Sequence, residues 1–303
     1  MKSDQLAPIV VIIFNRPDLA HRLFNAIVGQ SGRCLYVISD GPRDGFPSDV
    51  AKVEASRRVF EKWPGRLVTN YSSKNLGCRR RIISGLDWVF EVENSAIILE
   101  DDCIPSTQFF EYNDYLLNKY LTHQNIFSVC ASNPLKVEFE ASDQIFLSKY
   151  HFCWGWATWR RAWRQVDFDI VEKNLVALLI QLYPRLDSFR AALYWTYISF
   201  LLKKRKIDSW AYPFSIYCLI NNYRHIIPNF NLVSNLGLRK DASNTRYRGY
   251  GLSEIIVPEN INLQNNSSVP KPSSYLDKMI ESRIYSKSLR YRIGWLLSFL
   301  VKF

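Results

Sequence analysis

Hydrophobic positions along the first hundred residues fall into two alternating patterns. Short apolar or β-branched runs of strand length occur at Ile9–Phe14, Leu35–Ile38, Arg66–Tyr71 and Ala96–Leu99. Between them, Leu19, Leu23, Ala26 and Ile27 recur at helical spacing. A more polar helix is expected from about Asp49 to Lys62, and Asn75-Leu76-Gly77 opens another that runs through Phe90. Strands without polar alternation are buried on both faces. Strand and helix alternating through loops of a few residues give a parallel sheet covered by helices, so the fold class is α/β.

Each run also ends in a polar cluster: Asn15-Arg16, Ser39-Asp40-Gly41, and Glu100-Asp101-Asp102. In a parallel sheet these clusters converge on one edge, the edge at which open α/β sheets bind ligands. Beyond Pro105 the regularity fades. A helix is expected from Phe109 to Tyr120 and a strand from Ile126 to Cys130; four Trp (Trp154, Trp156, Trp159, Trp163) then fall within ten residues. Helical segments follow at 175–183, 189–204 and 211–221, with loop, strand and turn from Pro228 to Gly237. Residues 258–274 are rich in Asn, Ser and Pro and read as a linker or surface loop. The last segment is basic, with Arg283, Lys287, Arg290, Arg292 and Lys302 and no acid after Glu281. Leu289, Ile293, Leu296 and Leu300 share one helical face there. Such a tail suits an anionic membrane surface, or docks as a helix on its own domain; it is too short in apolar run to span a bilayer.

Bulk composition narrows the classes. The chain has 303 residues, 48% hydrophobic and 22% charged, in the globular range. Thirty-nine Lys and Arg against 28 Asp and Glu leave a net charge of +11, which attracts nucleotide phosphates, nucleic acid or anionic lipid. No RNA- or DNA-binding motif is recognisable and no second acidic cluster suits two-metal cleavage, so nucleic acid is not an expected partner. Six scattered cysteines without a C-x-x-C pair read as reduced thiols rather than a disulfide or zinc framework. The first residues lack a signal-like pattern, so a cytoplasmic chain is expected.

Three adjacent carboxylates repel unless a cation or donors hold them, and Mg²⁺ or Mn²⁺ is the simplest partner; a solvated acidic turn is the plain alternative. Asp40 before Gly41 can accept from a uracil imide, or form an ordinary Asp-Gly-Pro turn. Arg16 lies near a base or phosphates, or is a surface Arg before a helix. Arg79, Arg80 and Arg81 at a helix start suggest phosphate binding, or a solvated turn. Asp208 is a candidate general base, or an N-cap, with Asp167 and Asp169 as rivals.

In order, these segments resemble a GT-A nucleotide-sugar glycosyltransferase. The stretch Leu99–Tyr112, LEDDCIPSTQFFEY, is similar to the Glu-Asp-Asp segment of N-acetylglucosaminyltransferase I-like enzymes, and the chain to about Thr245 to bacterial family-2-type sugar transferases. The resemblance implies a GT-A (Rossmann-like) mixed, mainly parallel sheet flanked by helices, with a helical C-terminal extension. It implies a catalytic domain over 1–256, nucleotide-binding in 1–105 and acceptor- and sugar-binding in 106–256, followed by linker and tail over 257–303. The implied reaction is metal-dependent, inverting transfer from a nucleoside diphosphate sugar, most often a UDP-sugar, to a hydroxyl of a glycan or lipid-linked acceptor in surface-polysaccharide or glycoconjugate synthesis. Implied roles are Asp102 for Mn²⁺ or Mg²⁺; Arg16, Asp40, Gly41, Arg80 and Asp101 for the nucleotide; Glu100, Gly155, Trp156 and Trp210 for the donor sugar; and Asp208 as base. Ser209 departs from the family's Asp-Asp-Trp pattern, and the Asp241–Asn244 loop lies where relatives close over the donor. A non-catalytic sugar-binding or membrane-surface partner is the alternative from another class.

Overall fold

The four parallel strands in the first hundred residues set the frame. The computed structural model describes residues 6–135, 144–237, 261, 270 and 272–285. Strand β1 (Ile9–Ile13) leads to helix α1 (Pro17–Ile27), β2 (Leu35–Ser39) to α2 (Pro47–Phe60), and β3 (Leu67–Tyr71) to α3 (Cys78–Val92), before β4 (Ser95–Glu100). Pro17 and Pro47 sit in the first turns of α1 and α2, where a missing N–H costs nothing.

The second part is less regular. It contains β5 (Cys103–Pro105), α4 (Gln108–Lys119), β6 (Ile126–Cys130), β7 (Ile145–Ser148), β8 (Trp156–Trp159) and the single turn α5 (Arg160–Trp163). Then come α6 (Leu175–Leu182), α7 (Phe189–Lys203), α8 (Ala211–Ile220), β9 (Arg224–Pro228), β10 (Val233–Asn235) and α9 (Ser274–Ile280), which continues as a π-helical turn to Tyr285.

Eight strands form one sheet in the order β3-β2-β1-β4-β8-β6-β9-β7, while β5 and β10 make a separate two-stranded ribbon. The β3-β2-β1-β4 block is parallel throughout; β8 joins β4 and β6 antiparallel, β6 and β9 are parallel, and β7 closes the edge antiparallel. The fold is therefore a mixed, mainly parallel α/β sheet flanked by helices.

Alternate residues of β1 show how the sheet is covered. Ile9, Val11 and Ile13 pack in one core with α1, α2 and α4, through Leu23, Phe60 and Phe109. Val10 and Ile12 face another core, with Leu86 and Phe90 of α3 and Phe214 of α8. A third cluster joins α6, α7 and α9 through Leu178, Leu182, Trp195, Ile198, Leu276 and Ile280.

Within the 257–303 region, α9 packs against the edge strand β7. Ser273 caps it by accepting from Leu276 N at 3.1 Å. Buried Asp277 accepts from Ser148 Oγ at 2.5 Å, and buried Glu281 from Tyr150 Oη at 2.5 Å and Ser188 Oγ at 3.2 Å. The isolated bridge from Leu147 to Pro272 further covers an edge that would otherwise offer unpaired N–H and C=O groups. The basic tail from residue 286 lies outside the described residues.

Candidate functional site

Strand order reverses between β1 and β4, because β2 and β3 extend to one side of β1 while β4 lies on the other. The crevice beyond the carboxyl ends of strands flanking such a switch point is where open α/β sheets bind ligands. Arg16 follows β1, and Glu100, Asp101 and Asp102 end β4, so the structure brings these four to that point.

Arg16 is the clamp of the cluster. Its Nε and Nη2 both donate to Asp101, the former at 3.2 Å, and its Nη1 donates to Asp102 Oδ2 at 3.0 Å. Asp101 is 1% exposed, and its backbone N–H also bonds Ile12 O at 3.0 Å, locking the turn to β1. One guanidinium faces three carboxylates. Burial pushes the Glu100 carboxyl up, and the charges of Asp102 and Asp101 add to this; the Trp210 side chain hydrogen-bonds Glu100 and opposes the shift. Burial likewise raises the Asp101 carboxyl, with Arg16 the main opposing influence. Burial would lower the Arg16 guanidinium, but Asp101 and Asp102 outweigh it and hold the group further above its usual value. A retained proton or an added cation would each relieve this crowding of carboxylates.

Asp102 is half-buried, at 14% side-chain exposure, against 1% for Asp101. The β5–β10 ribbon brings the chain back beside it: Leu236 N donates to Asp102 O at 2.8 Å, and Gly237 N to Asn235 Oδ1 at 2.7 Å. A Cβ on Gly237 would collide with Asp102 Oδ2, so the missing side chain leaves the carboxylate room. Among the described residues no group of three or more His, Cys, Asp or Glu side chains forms a ready-made metal cage. The donor set instead fits the mode in which Mg²⁺ takes one carboxylate and completes its shell from ligand phosphates and water.

Asp40, after β2, is buried and well occupied. It accepts from Gly41 N at 2.9 Å, Leu76 N at 2.9 and 3.2 Å, and Gly77 N at 3.0 Å. Burial raises its carboxyl and these N–H groups oppose the rise. Asp40 thus ties the end of β2 to the loop that opens α3. Gly41 is required at its place because any Cβ would meet the Lys74 backbone at 2.5 Å.

The α3 start completes the rim. Gly77 adopts φ 80° and ψ 163°, a conformation nearly exclusive to glycine. Asp208, remote in sequence, reaches this turn and accepts from Arg79 N at 3.1 Å. It thereby satisfies one of the open N–H groups at the start of α3 from a distant part of the chain. The three arginines separate: Arg81 is buried and bonds Ser39 O at 3.1 Å and Asn70 Oδ1 at 2.7 Å; Arg79 donates to Phe168 O at 2.6 Å and pairs with Asp169 at 3.4 Å. Arg80 is exposed and makes no ion pair among the described residues. Asp167 caps a short 3₁₀ turn, accepting from Asp169 N at 3.0 Å.

Trp156 and Trp210 are placed inside. Both indoles are buried and stacked on one another, centroids 5.0 Å apart, behind Glu100. Neither offers a ring face to a sugar in this arrangement; only Trp210 touches the rim, through Glu100. Gly155 lies at φ 61° where a Cβ would collide with Val233 of β10, so it serves the close approach of the ribbon. The expected Asp241–Asn244 loop lies outside the described residues.

Sequence reasoning did not single out Cys78 beyond its cysteine count. Burial raises its thiol, and the carboxylates of Glu100, Asp208 and Asp40 add to the rise. Its place directly after the Asn75-Leu76-Gly77 helix start was the available signal. The other missed feature is a buried network in which Ser128 Oγ lies 3.0 Å from His151 Nδ1 and 2.7 Å from His225 Nδ1, with the His151 ring edge-on to Trp156 at 4.9 Å.

No protein-family model and no curated protein sequence matches the chain. Among solved structures, UDP-glucose pyrophosphorylase complexed with UDP-glucose is similar at a TM-score of 0.37 and 7% identity, over 74% of this chain and 91% of that one. A likeness at that level carries no argument about function.

Proposed function

We propose that this protein is a GT-A-type, inverting glycosyltransferase that moves a sugar from a nucleoside diphosphate sugar, in the first instance a UDP-sugar, to an acceptor hydroxyl. The observation that carries the reading is the carboxylate triplet at the β1/β4 switch point, clamped by Arg16 and facing the glycine-opened start of α3. The LEDD–FFEY resemblance supplies the reaction class.

In this reading Asp102 holds Mn²⁺ or Mg²⁺, which when bound supplies positive charge to the diphosphate. Arg16 fixes Asp101 and Asp102 so that the rim does not reorganise when the donor enters. Arg80, exposed on the first turn of α3, reaches toward phosphate oxygens. Asp40 and Gly41 shape the base subsite chiefly by holding the Leu76–Gly77 loop. Glu100, oriented by Trp210, accepts from donor-sugar hydroxyls, and Gly155 and Trp156 support that wall from behind. Asp208 takes the proton of the acceptor hydroxyl as it attacks the anomeric carbon, the sugar–phosphate bond breaks and the pair of electrons leaves on the diphosphate. A carboxylate has acceptor sites beyond the one that holds Arg79 N, so Asp208 can take the proton while it keeps that contact.

Calorimetric titration with UDP and Mn²⁺ together, followed by mass-spectrometric detection of hydrolysis across a panel of UDP-sugars, tests the assignment. Asp102→Ala should abolish metal-dependent UDP binding. Asp208→Asn should keep UDP binding and lose transfer. UDP binding that is indifferent to Mn²⁺ and to Asp102→Ala would reject the reading.

A further inference from the structure

Helix α6 is apolar on nearly every side, with the sequence LVALLIQL. Leu178 and Leu182 are buried against α7 and the neighbouring core, which accounts for one face. Val176 and Ile180, one turn apart, are 66% and 67% exposed, and Tyr183 continues the same stripe at 55%. The Phe189 ring, 52% exposed, lies edge-on to Tyr183 with centroids 5.7 Å apart. Single exposed apolar residues are ordinary; four large ones running from α6 through the turn after it to the start of α7, beside a helix face that is already packed, mark an interaction surface.

The charges around the stripe say what it faces. Between Glu172 and Lys206 there are seven basic side chains and two acidic ones, a net of +5. One of the two acids, Asp187, is paired with Lys149 at 2.9 Å. The basic groups lie at both ends of the hairpin. Lys203 Nζ donates to Glu172 O at 2.8 Å, which places the run Lys203-Lys204-Arg205-Lys206 beside the start of α6, while Arg185 and Arg190 flank its far end. An apolar stripe between two clusters of exposed cations is complementary to a surface with hydrocarbon beneath anionic headgroups. A protein partner would need an acidic rim matched to both ends; a lipid surface provides that field everywhere.

We propose that the α6–α7 hairpin docks this protein on an anionic lipid surface, with Val176, Ile180, Tyr183 and Phe189 entering the headgroup boundary and the basic ends lying over it. The hairpin is separate from the C-terminal tail, and the inference stands apart from the glycosyltransferase reading. If that reading also holds, the run 203–206 leads within two residues to Asp208, so a lipid-linked acceptor would arrive beside the proposed base.

The test is co-sedimentation of the full chain with vesicles of phosphatidylcholine alone and of phosphatidylglycerol mixed with phosphatidylcholine. The chain should bind the mixed vesicles, with binding weakened by salt. Val176→Glu/Ile180→Glu should lower that binding about tenfold or more with the tail intact, and Lys204→Glu/Lys206→Glu should lower it and flatten its salt dependence. Both pairs are exposed, so thermal unfolding without lipid should shift by no more than about 2 °C. Failure to bind mixed vesicles, or binding undiminished by Val176→Glu/Ile180→Glu, overturns the proposal. So does a dimer in light scattering that this variant dissolves, which would make the face a contact between copies. A large fall in its unfolding midpoint would mean that the chain covers the stripe itself, and also overturns it.

Discussion

Gly77→Ala perturbs the point at which the loop from β3, the start of α3 and Asp208 meet. At φ 80° and ψ 163° an alanine is held in a region populated almost only by glycine, a strain of about 1–3 kcal/mol. The new methyl would also stand 2.6 Å from Asp208 Oδ2. That atom ends an exposed side chain and can swing away, so the clash converts into loss of the Asp208–Arg79 N contact, worth about 0.5–1 kcal/mol at an exposed helix start. The sum is about 1.5–4 kcal/mol, or about 3–8 °C in unfolding midpoint at roughly 2 °C per kcal/mol for a chain of this size. Urea and thermal unfolding of Gly77→Ala, Asp208→Ala and the double variant measure it. The double variant should be less destabilised than the sum of the singles, because removing the Asp208 side chain removes the clash. A midpoint change below about 1 °C, or strict additivity, would refute the argument that backbone strain and Asp208 are coupled here.

Three further outcomes follow from other parts of the molecule. Arg16→Met strands Asp101 in the interior and should cost about 3 kcal/mol at neutral pH. Its folded-state carboxyl is then raised further above its unfolded value near 4, so the penalty should shrink as pH falls toward 4; urea midpoints across pH check this, and a pH-independent gap contradicts it. Glu281→Ala removes the acceptor for Tyr150 Oη, Asp187 N and Ser188 Oγ, and should loosen α9 by about 2–4 kcal/mol, seen as faster amide exchange over 274–285 than in the centre of the sheet. Burial holds the His151 imidazole down to about 3, so it stays neutral in the fold while the unfolded chain protonates below about 6.5. Stability from this group is therefore lost as pH falls from about 6.5 toward 3, by up to about 1.4 kcal/mol per pH unit, and His151→Leu should flatten that part of the profile.

The order and type of the first seven elements, β1 to β4 with α1 to α3, were legible because their patterns are local. Continuous apolar runs such as IVVII can be satisfied only with both faces covered, and the polar residues closing each run had to emerge at the same edge. The acidic triplet was legible for the same reason. Other features depended on partners far along the chain. The regular pattern fades around Pro105, yet Cys103–Pro105 forms β5 because Val233–Asn235 comes back to pair with it. The Trp-rich stretch showed no period, and β8 exists because β4 and β6 hold it on either side; the same pairing puts Trp156 in the interior. Asp208 looked like a cap or a base of its own neighbourhood, but it accepts from the backbone N–H of Arg79, 129 positions away. Local sequence fixes which backbone state and which face a residue prefers, since those follow from sterics and from burial of adjacent side chains. Which remote groups meet is a property of the whole packed chain, and here that decided which carboxylate is clamped, which arginine stays exposed, and which indoles reach the rim.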